Sequence, residues 1–501
     1  MFVRKKPNKS GIISVQVIAK IKGKSKLIKT IGSSSDALEI DKLVKEGHQY
    51  IAQFGGQKTL NFSDEASLYK SILESISSHT EVGTQYLLGR IFDDIGFNVI
   101  EGDLFRQLVL SRLIFPVSKM KTSDLMDRYL GKDYPVQQIY RYMDKFHSER
   151  KELVQQISYQ HTKKILRGKV NIVFYDVTTL YFETDNEDNF RKTGFSKEGK
   201  HQNPQIVLGL LVSKNGYPLA YDIYEGNKFE GHTMLPVLDS FKKKYDLEQL
   251  VIIADSGLLS NANIKDLQSR GYEFILGARI KNEKQDIQRK ILSLELKNGE
   301  SAVVNRNDLR LIISYSDSRA KKDYENRRKG LIKLEKRITT GKLTKSNINN
   351  RGYNKYLRLE GEIEISLDHQ KFEADEAWDG LKGYLTNAKM SKDEIIENYG
   401  HLWQIEKAFR ISKTDLKIRP IYHRLQRRIE THICISFVAY KIYKELERQL
   451  KEKQSPLSPE KAIEIARSIY QVKAKTRDGE VEHMLLLTEE QRNLANLFDF
   501  G

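Results

Sequence analysis

Asp176 and Asp255 each close an apolar run, Asn171-Ile-Val-Phe-Tyr-Asp176 and Leu250-Val-Ile-Ile-Ala-Asp255, and far downstream Tyr399, Glu406 and Lys413 recur at seven-residue intervals. An α-helix drifts only about 20° per seven residues, so the last three would project from one helical stripe as a phenol, a carboxylate and a cation. Short runs of Val, Ile, Phe and Tyr ended by a carboxylate suggest buried parallel strands whose ends open into a crevice, where open α/β sheets hold ligands. Two strand-end carboxylates facing a helix carboxylate give a hard, oxygen-lined pocket suited to Mg²⁺ or Mn²⁺. Two such ions roughly 3.5–4 Å apart can stabilise the attacking and leaving oxygens of an in-line displacement, so the chemistry indicated is metal-dependent phosphoryl transfer. Each residue also has a plainer role. Asp at a strand end forms turns and caps helices, as Asp255-Ser-Gly could, and Glu on a charged helix is usually solvated. The combination carries the reading, not any one carboxylate.

The surrounding residues make the pattern more specific. Tyr399-Gly-His-Leu402-Trp-Gln-Ile-Glu406-Lys-Ala-Phe-Arg-Ile-Ser-Lys413 follows the helix signature Y-x2-R-x3-E-x6-K, except that Leu402 stands where the usual Arg would be. Tyr175-Asp176-Val-Thr-Thr, Gly194-Phe-Ser-Lys197, Pro204-Gln205-Ile-Val-Leu-Gly209, Gly226-Asn227, Ala254-Asp255-Ser-Gly257 and Arg419-Pro-Ile-Tyr-His423 accompany it. From about residue 165 to 445 the chain resembles bacterial insertion-sequence transposases of the DDE type, whose catalytic core is RNase H-like. The resemblance implies a catalytic, metal-binding triad of Asp176, Asp255 and Glu406 holding two Mg²⁺ or Mn²⁺ ions. It also implies that Tyr399 and Lys413 contact DNA phosphates near the cleaved end; Leu402 puts one such contact in doubt. The activity implied is cleavage at the ends of an insertion sequence and strand transfer into target DNA. The partners implied are double-stranded DNA, as terminal inverted repeats and target, and a second copy of the chain in a homodimeric DNA complex. Two other readings stay open: a metal-dependent nuclease using the same core without strand transfer, and a DNA-binding derivative without catalysis.

Composition agrees with a polyanionic partner. The 501 residues contain 84 Lys and Arg against 67 Asp and Glu, a formal charge of +17 with pI near 9.4. Such a balance favours phosphate contacts, although a ribosome-associated or membrane-surface protein could share it. With 39% hydrophobic and 30% charged residues the chain can bury sizeable cores, and its length suggests two to four domains. The single cysteine, Cys434, lies in an apolar run and can form no intrachain disulfide, so it reads as a small buried hydrophobe. His201, His232 and His401 do not have zinc spacing. There is no run of 18 apolar residues, and Met1-Phe-Val-Arg-Lys-Lys-Pro lacks an apolar signal core. A cytoplasmic, nucleoid-associated protein with no membrane partner is therefore expected.

The elements that must position the site give an α/β fold: an RNase H-like mixed sheet with flanking helices, an inserted β-rich subdomain and a mainly helical N-terminal region. Residues 1–80 predict a β-hairpin, with Lys20, Lys22, Lys24, Lys26 and Lys29 near its turn, followed by helices. Residues 81–165 read as helical and could include a helix-turn-helix pair that binds DNA ends, with Arg141 and Lys145 near its second helix. The core spans 166–280 and resumes at 391–450 with the catalytic helix; between them, 281–390 is too long for a plain connection and contains strand-like runs. Within it, Arg319 to Lys355 holds thirteen Lys or Arg against three Asp or Glu, either a solvated helix and loop or a DNA-contacting arm. Trp378 could stack on an extruded base or simply pack. Lys417, Arg419 and His423, with Arg424, Arg427 and Arg428, follow the catalytic helix closely enough to hold DNA at the metal site. The tail, 451–501, carries no identifiable chemistry.

Overall fold

The computed structural model describes the chain except residues 9–10, 22, 55–71, 147, 169, 197–198, 259, 307, 342, 344–346, 350–351, 361–363 and 477–478. Lys22, Lys197, residues 55–71 of the helices expected after the N-terminal hairpin and parts of the Arg319–Lys355 block therefore lie outside the described residues. The chain forms two units, one of Met1–Ser77 with Lys473–Val481 and the other of Ser78–Val472 with Glu482–Gly501.

In the first unit, Ile13–Ile21 pairs antiparallel with Phe2–Pro7 on one side and Lys24–Ser34 on the other, so the expected hairpin gains a third strand. Val15, Val17 and Ile18 are buried, and the helix Ala37–Phe54 (α1), with its buried Ile40, packs against these strands. Lys20, Lys24, Lys26 and Lys29 stay exposed.

The second unit is organised by an eight-stranded sheet. Strands β1 (Ile172–Tyr181), β2 (Gln205–Ser213), β3 (Pro218–Glu225), β4 (Val251–Ala254) and β5 (Glu273–Ala278) lie in the order β3-β2-β1-β4-β5. β1, β2 and β3 are antiparallel, while β4 and β5 run parallel to β1, which is the RNase H-like arrangement. Three further strands, β6 (Ser301–Arg306), β7 (Leu309–Tyr315) and β8 (Leu381–Thr386), extend it antiparallel in the order β6-β7-β8-β5. The strands expected of a separate insertion thus lengthen the main sheet instead, because β8 hydrogen-bonds along the edge of β5. The rest of that segment includes the 23-residue helix Asp317–Thr339 and the hairpin Leu357–Glu360 with Glu364–Leu367, around a small cluster of Leu334, Tyr356 and Leu357.

Both faces of the sheet are covered, which is why β2 is buried at all nine positions rather than alternately. Phe174, Leu180, Leu210, Val251 and Ile253 join one cluster, packed by the helices Asp103–Ile114 (α2), Lys119–Leu130 (α3), Lys392–Gly400 (α4), Trp403–Thr414 (α5) and Gln426–Glu452 (α6). Val173, Tyr175, Val177, Ile252 and Ala254 join the other, under Met234–Tyr245 and Asn261–Ser269. α6 is buried almost without interruption from Ile429 to Leu446; it holds the buried thiol Cys434, and its buried Lys441 donates to Ser158 O at 3.0 Å while Glu445 accepts from the Tyr217 hydroxyl at 2.8 Å. No described helix is long and apolar enough to cross a membrane.

Candidate active site

Strand register brings the two aspartates together. β1 and β4 are parallel with Tyr175 opposite Ala254, so Asp176 and Asp255, one residue on, fall side by side on adjacent strands spaced about 4.8 Å apart. Asp255 ends its strand as expected. Asp176 does not, because Val177–Tyr181 continue β1 by pairing with Gln205–Gly209 of β2. Side chains alternate along a strand, and Phe174 and Leu180 of β1, like Ile253 of β4, belong to the cluster under α4 and α5; the parity directs both carboxylates to that face. The following residue's backbone N–H holds one oxygen of each, Val177 N donating to Asp176 Oδ1 at 2.8 Å and Ser256 N to Asp255 Oδ1.

Glu406 comes from the helical layer above. A capping box fixes where that layer starts: the Ser391 side chain accepts from Glu394 N, and Glu394 reaches back to Ser391 N. The expected single helix from Tyr399 to Lys413 is instead two. At the joint the hydrogen bonds tighten to the three-residue spacing, His401 N to Asn398 O at 3.1 Å and Leu402 N to Tyr399 O at 3.0 Å, so the stripe bends between Tyr399 and Glu406. Tyr399, Leu402 and Glu406 nonetheless line one cleft of about 410 Å³ with Asp255, Arg319 and Lys382. Lys413 lies roughly 10 Å further along the helix axis and does not line it.

The phenol of Tyr399 is not on the surface; the residue is 5% exposed. A β-carbon on Gly277 would stand 2.4 Å from its hydroxyl, so only glycine at that point of β5 leaves the ring its place. The ring meets Tyr384 edge-on at 4.9 Å, and Lys382 Nζ lies 4.5 Å from its centroid. Burial, then the charge of Asp255, pushes the phenol's pKa well above its ordinary value. Lys382 moves the other way: burial, with Arg319 beside it, lowers its pKa, while Asp255 and Glu406 resist the shift. Spacing in the sequence singles out neither Lys382 nor Arg319. Arg319 opens the basic block and Lys382 stands in a recognisable strand, but only the pairing of β8 with β5 shows that both border the carboxylates.

Other expected residues lie elsewhere. Trp378 is 9% exposed and packs in the cluster on the opposite face, as the packing role requires; its edge lines a neighbouring hollow with Arg279 and Lys281. Lys417, Arg419 and His423 do not line the carboxylate cleft but a second cavity. The loop carrying them is tied by Ile421 N to Tyr181 O at 3.2 Å, five residues beyond Asp176 on β1 and so about 17 Å away. Among the described residues, no three His, Cys, Asp or Glu side chains already stand as a metal-ligand group.

A family model for the transposase DDE domain matches residues 140–442. No curated protein matches the sequence. Solved structures that resemble the chain include a piggyBac transposase synaptic complex with hairpin DNA, at TM-score 0.39 and 11% identity over 81% of this chain and 80% of that one. A Mos1 transposase paired-end complex with left transposon end aligns at TM-score 0.16 and 12% identity, over 46% and 71%. A Mos1 mariner paired-end complex with Mn aligns at TM-score 0.15 and 13% identity, over 47% and 74%.

Proposed function

Because the chain belongs to the transposase DDE domain family, and is therefore a metal-dependent DNA transposase of the DDE type, we propose that Asp176, Asp255 and Glu406 are its metal ligands and catalytic residues. The observation that carries this reading is the register of β1 and β4, which sets the two aspartates side by side on the face that α5 covers. The donor chemistry fits: Asp255 and Glu406 line the cleft, Asp176 does not line it but stands on the adjacent strand, carboxylate oxygens are the ligands that Mg²⁺ and Mn²⁺ prefer, and neither thiol nor imidazole lines the cleft. A pair of such ions, when bound, would stabilise the attacking and leaving oxygens of an in-line displacement at phosphorus.

The chain's own residues supply the rest. The carboxylates act as ligands, not as acid and base. Lys382 and Arg319 face the charge that develops on the phosphoryl oxygens and take the part that Leu402 cannot play. Tyr399, with its pKa raised, stays protonated and donates a hydrogen bond to a phosphate oxygen; it is no nucleophile, so cleavage needs no covalent protein–DNA intermediate. Water cuts the first phosphodiester and leaves a 3′-OH at the element's end. That hydroxyl then attacks a phosphodiester of target DNA; its 3′-oxygen forms the new bond to phosphorus while the target strand's own 3′-oxygen leaves as a hydroxyl, so the end is joined to target. Lys413, Lys417, Arg419 and His423 hold the duplex away from the cut bond. The DNA partners are terminal inverted repeats and target, and two copies of the chain bring two ends together.

The test is incubation of the purified protein with a duplex carrying the repeats that flank its gene, with and without Mg²⁺ or Mn²⁺, as wild type and as Glu406→Gln. Removing a ligand should slow cleavage about 10²- to 10⁴-fold while DNA binding persists. Metal-dependent cleavage by Glu406→Gln at the wild-type rate would refute the ligand assignment. Cleaved ends that are never joined would restrict the activity to that of a nuclease.

A further inference from the structure

The second cavity, about 490 Å³, is lined by Arg112 of α2, Lys119 at the start of α3, and Lys417, Arg419, His423 and His432, and no Asp or Glu lines it. Arg112 and Lys119 are 5% and 4% exposed, so both cations are withdrawn from water. Arg112 has two contacts at the long limit of hydrogen bonding, Leu416 O at 3.5 Å and His432 Nδ1 at 3.4 Å, and its buried Nε has no partner among the described residues. Lys119 has no ion pair among them. Arginine can only donate, so His432 Nδ1 must accept and its Nε2–H donates to Ile418 O at 2.9 Å. That ring is neutral and cannot balance the charge. Burial and the neighbouring cations also hold His423 down to about 3 and lower Lys119 well below its ordinary value. The carboxylate near His423, Asp144, is occupied by Arg427 at 2.9 Å and Arg428 at 2.7 Å.

Arg112 keeps its charge at a cost, and Lys119, with its pKa lowered, holds its proton readily only beside an anion; hydrophobic residues of similar volume would be more stable there. A bound anion removes the difficulty. We infer that this cavity is a phosphate-binding pocket that seats a backbone phosphate of the DNA, away from the bond being cut. The inference rests on the reading of the carboxylate cleft as the cleavage site, and the fold supplies the span. The loop that closes the pocket meets β1 about 17 Å beyond Asp176, the length of roughly five base-pair steps. The pocket would therefore hold the register of the element's end while the cleft acts on it.

The experiment compares the full-length wild type with Lys119→Met, which keeps most of the side-chain volume without the charge. Thermal unfolding is followed in inorganic phosphate and in NaCl of equal ionic strength, and binding to the end duplex is measured across salt concentrations. Phosphate should raise the melting temperature of wild type only. Lys119→Met should melt higher than wild type in NaCl yet bind the duplex roughly 10-fold more weakly, with its salt slope shallower by about one. Loss of phosphate protection with DNA binding unchanged would assign the pocket to a free phosphate and overturn the DNA role. Equal phosphate response and equal DNA affinity in the two proteins would overturn the pocket altogether. If Lys119→Met does not fold, Lys417→Gln in the exposed loop replaces it with the same expected losses. Metal-dependent cleavage by wild type is scored separately: its absence would defeat the cleavage reading, whereas cleavage with Lys119-independent binding would defeat only the pocket.

Discussion

Tyr399 is held by what is missing opposite it. Because a β-carbon at Gly277 would lie 2.4 Å from the Tyr399 hydroxyl and 3.3 Å from its ring carbon, Gly277→Ala should destabilise the protein by about 1–3 kcal/mol and displace the ring from the cleft. Adding Tyr399→Phe removes the clashing oxygen, and urea titrations should show much of that stability restored while cleavage stays impaired. Lys382→Met tests the electrostatic role: cleavage should slow about 10²-fold, as when one donor to a developing oxyanion is removed, with a smaller change in end binding. A cleavage rate equal to wild type would remove Lys382 from the chemistry. At this scale the sequence was informative where chemistry follows residue type. Asp255 is legible as a candidate because its apolar run stops at it, and Glu406 because Tyr399 and Lys413 flank it at even spacing; both line the cleft. Arg112, Lys119 and Lys382 were not, since the burial of a cation is decided by elements far away in the chain.

At the scale of elements, the strand-end rule failed for Asp176 because β2 continues to pair beyond it, and nothing in Val177–Tyr181 distinguishes a strand that continues from one that stops. The bend between α4 and α5 was equally silent. His401 and Leu402 keep right-handed helical dihedrals and only shorten their hydrogen bonds, which needs neither Gly nor Pro. Local order also sets a pH response. Glu81, at the end of the strand Ile76–Glu81, accepts from Thr84 N at 2.7 Å and from the Thr84 hydroxyl at 2.6 Å, yet burial dominates and raises its pKa from 4.5 to about 7. The folded protein therefore keeps this proton up to about pH 7, while the unfolded chain releases it near 4.5. Between those values the native state binds more protons, so stability falls as pH rises and stays reduced above about 7. Glu81→Gln should flatten this dependence, and denaturant titrations near pH 5 and pH 8 should differ by up to about 3 kcal/mol more in wild type than in the variant.

For the whole molecule, the charge of +17 was visible from the start, but its arrangement was not. Cations line the cleft and fill the second cavity, rather than concentrating in the Arg319–Lys355 block alone. If six or more of them meet DNA phosphates, affinity for a random duplex should fall about 10³-fold or more between 50 and 200 mM salt, and a filter-binding series would show it. The order of the five core strands could be anticipated from the spacing of Asp176, a hairpin, a helix and Asp255. The use of β6, β7 and β8 to widen that sheet could not, because a strand's sequence does not name its neighbour. The pairing of β1 with β4 has a further consequence, in the time a chain takes to be made. Asp176 and Glu406 are 230 residues apart, so synthesis at the usual rates needs roughly 10–50 s to pass from one to the other. Once Asp255 has been made, the growing polypeptide carries both aspartates but neither Glu406, the proposed third ligand, nor α6, which closes the core over them. On the proposed assignment, a transposase still on the ribosome cannot cut the DNA beside it until Glu406 and α6 have been made.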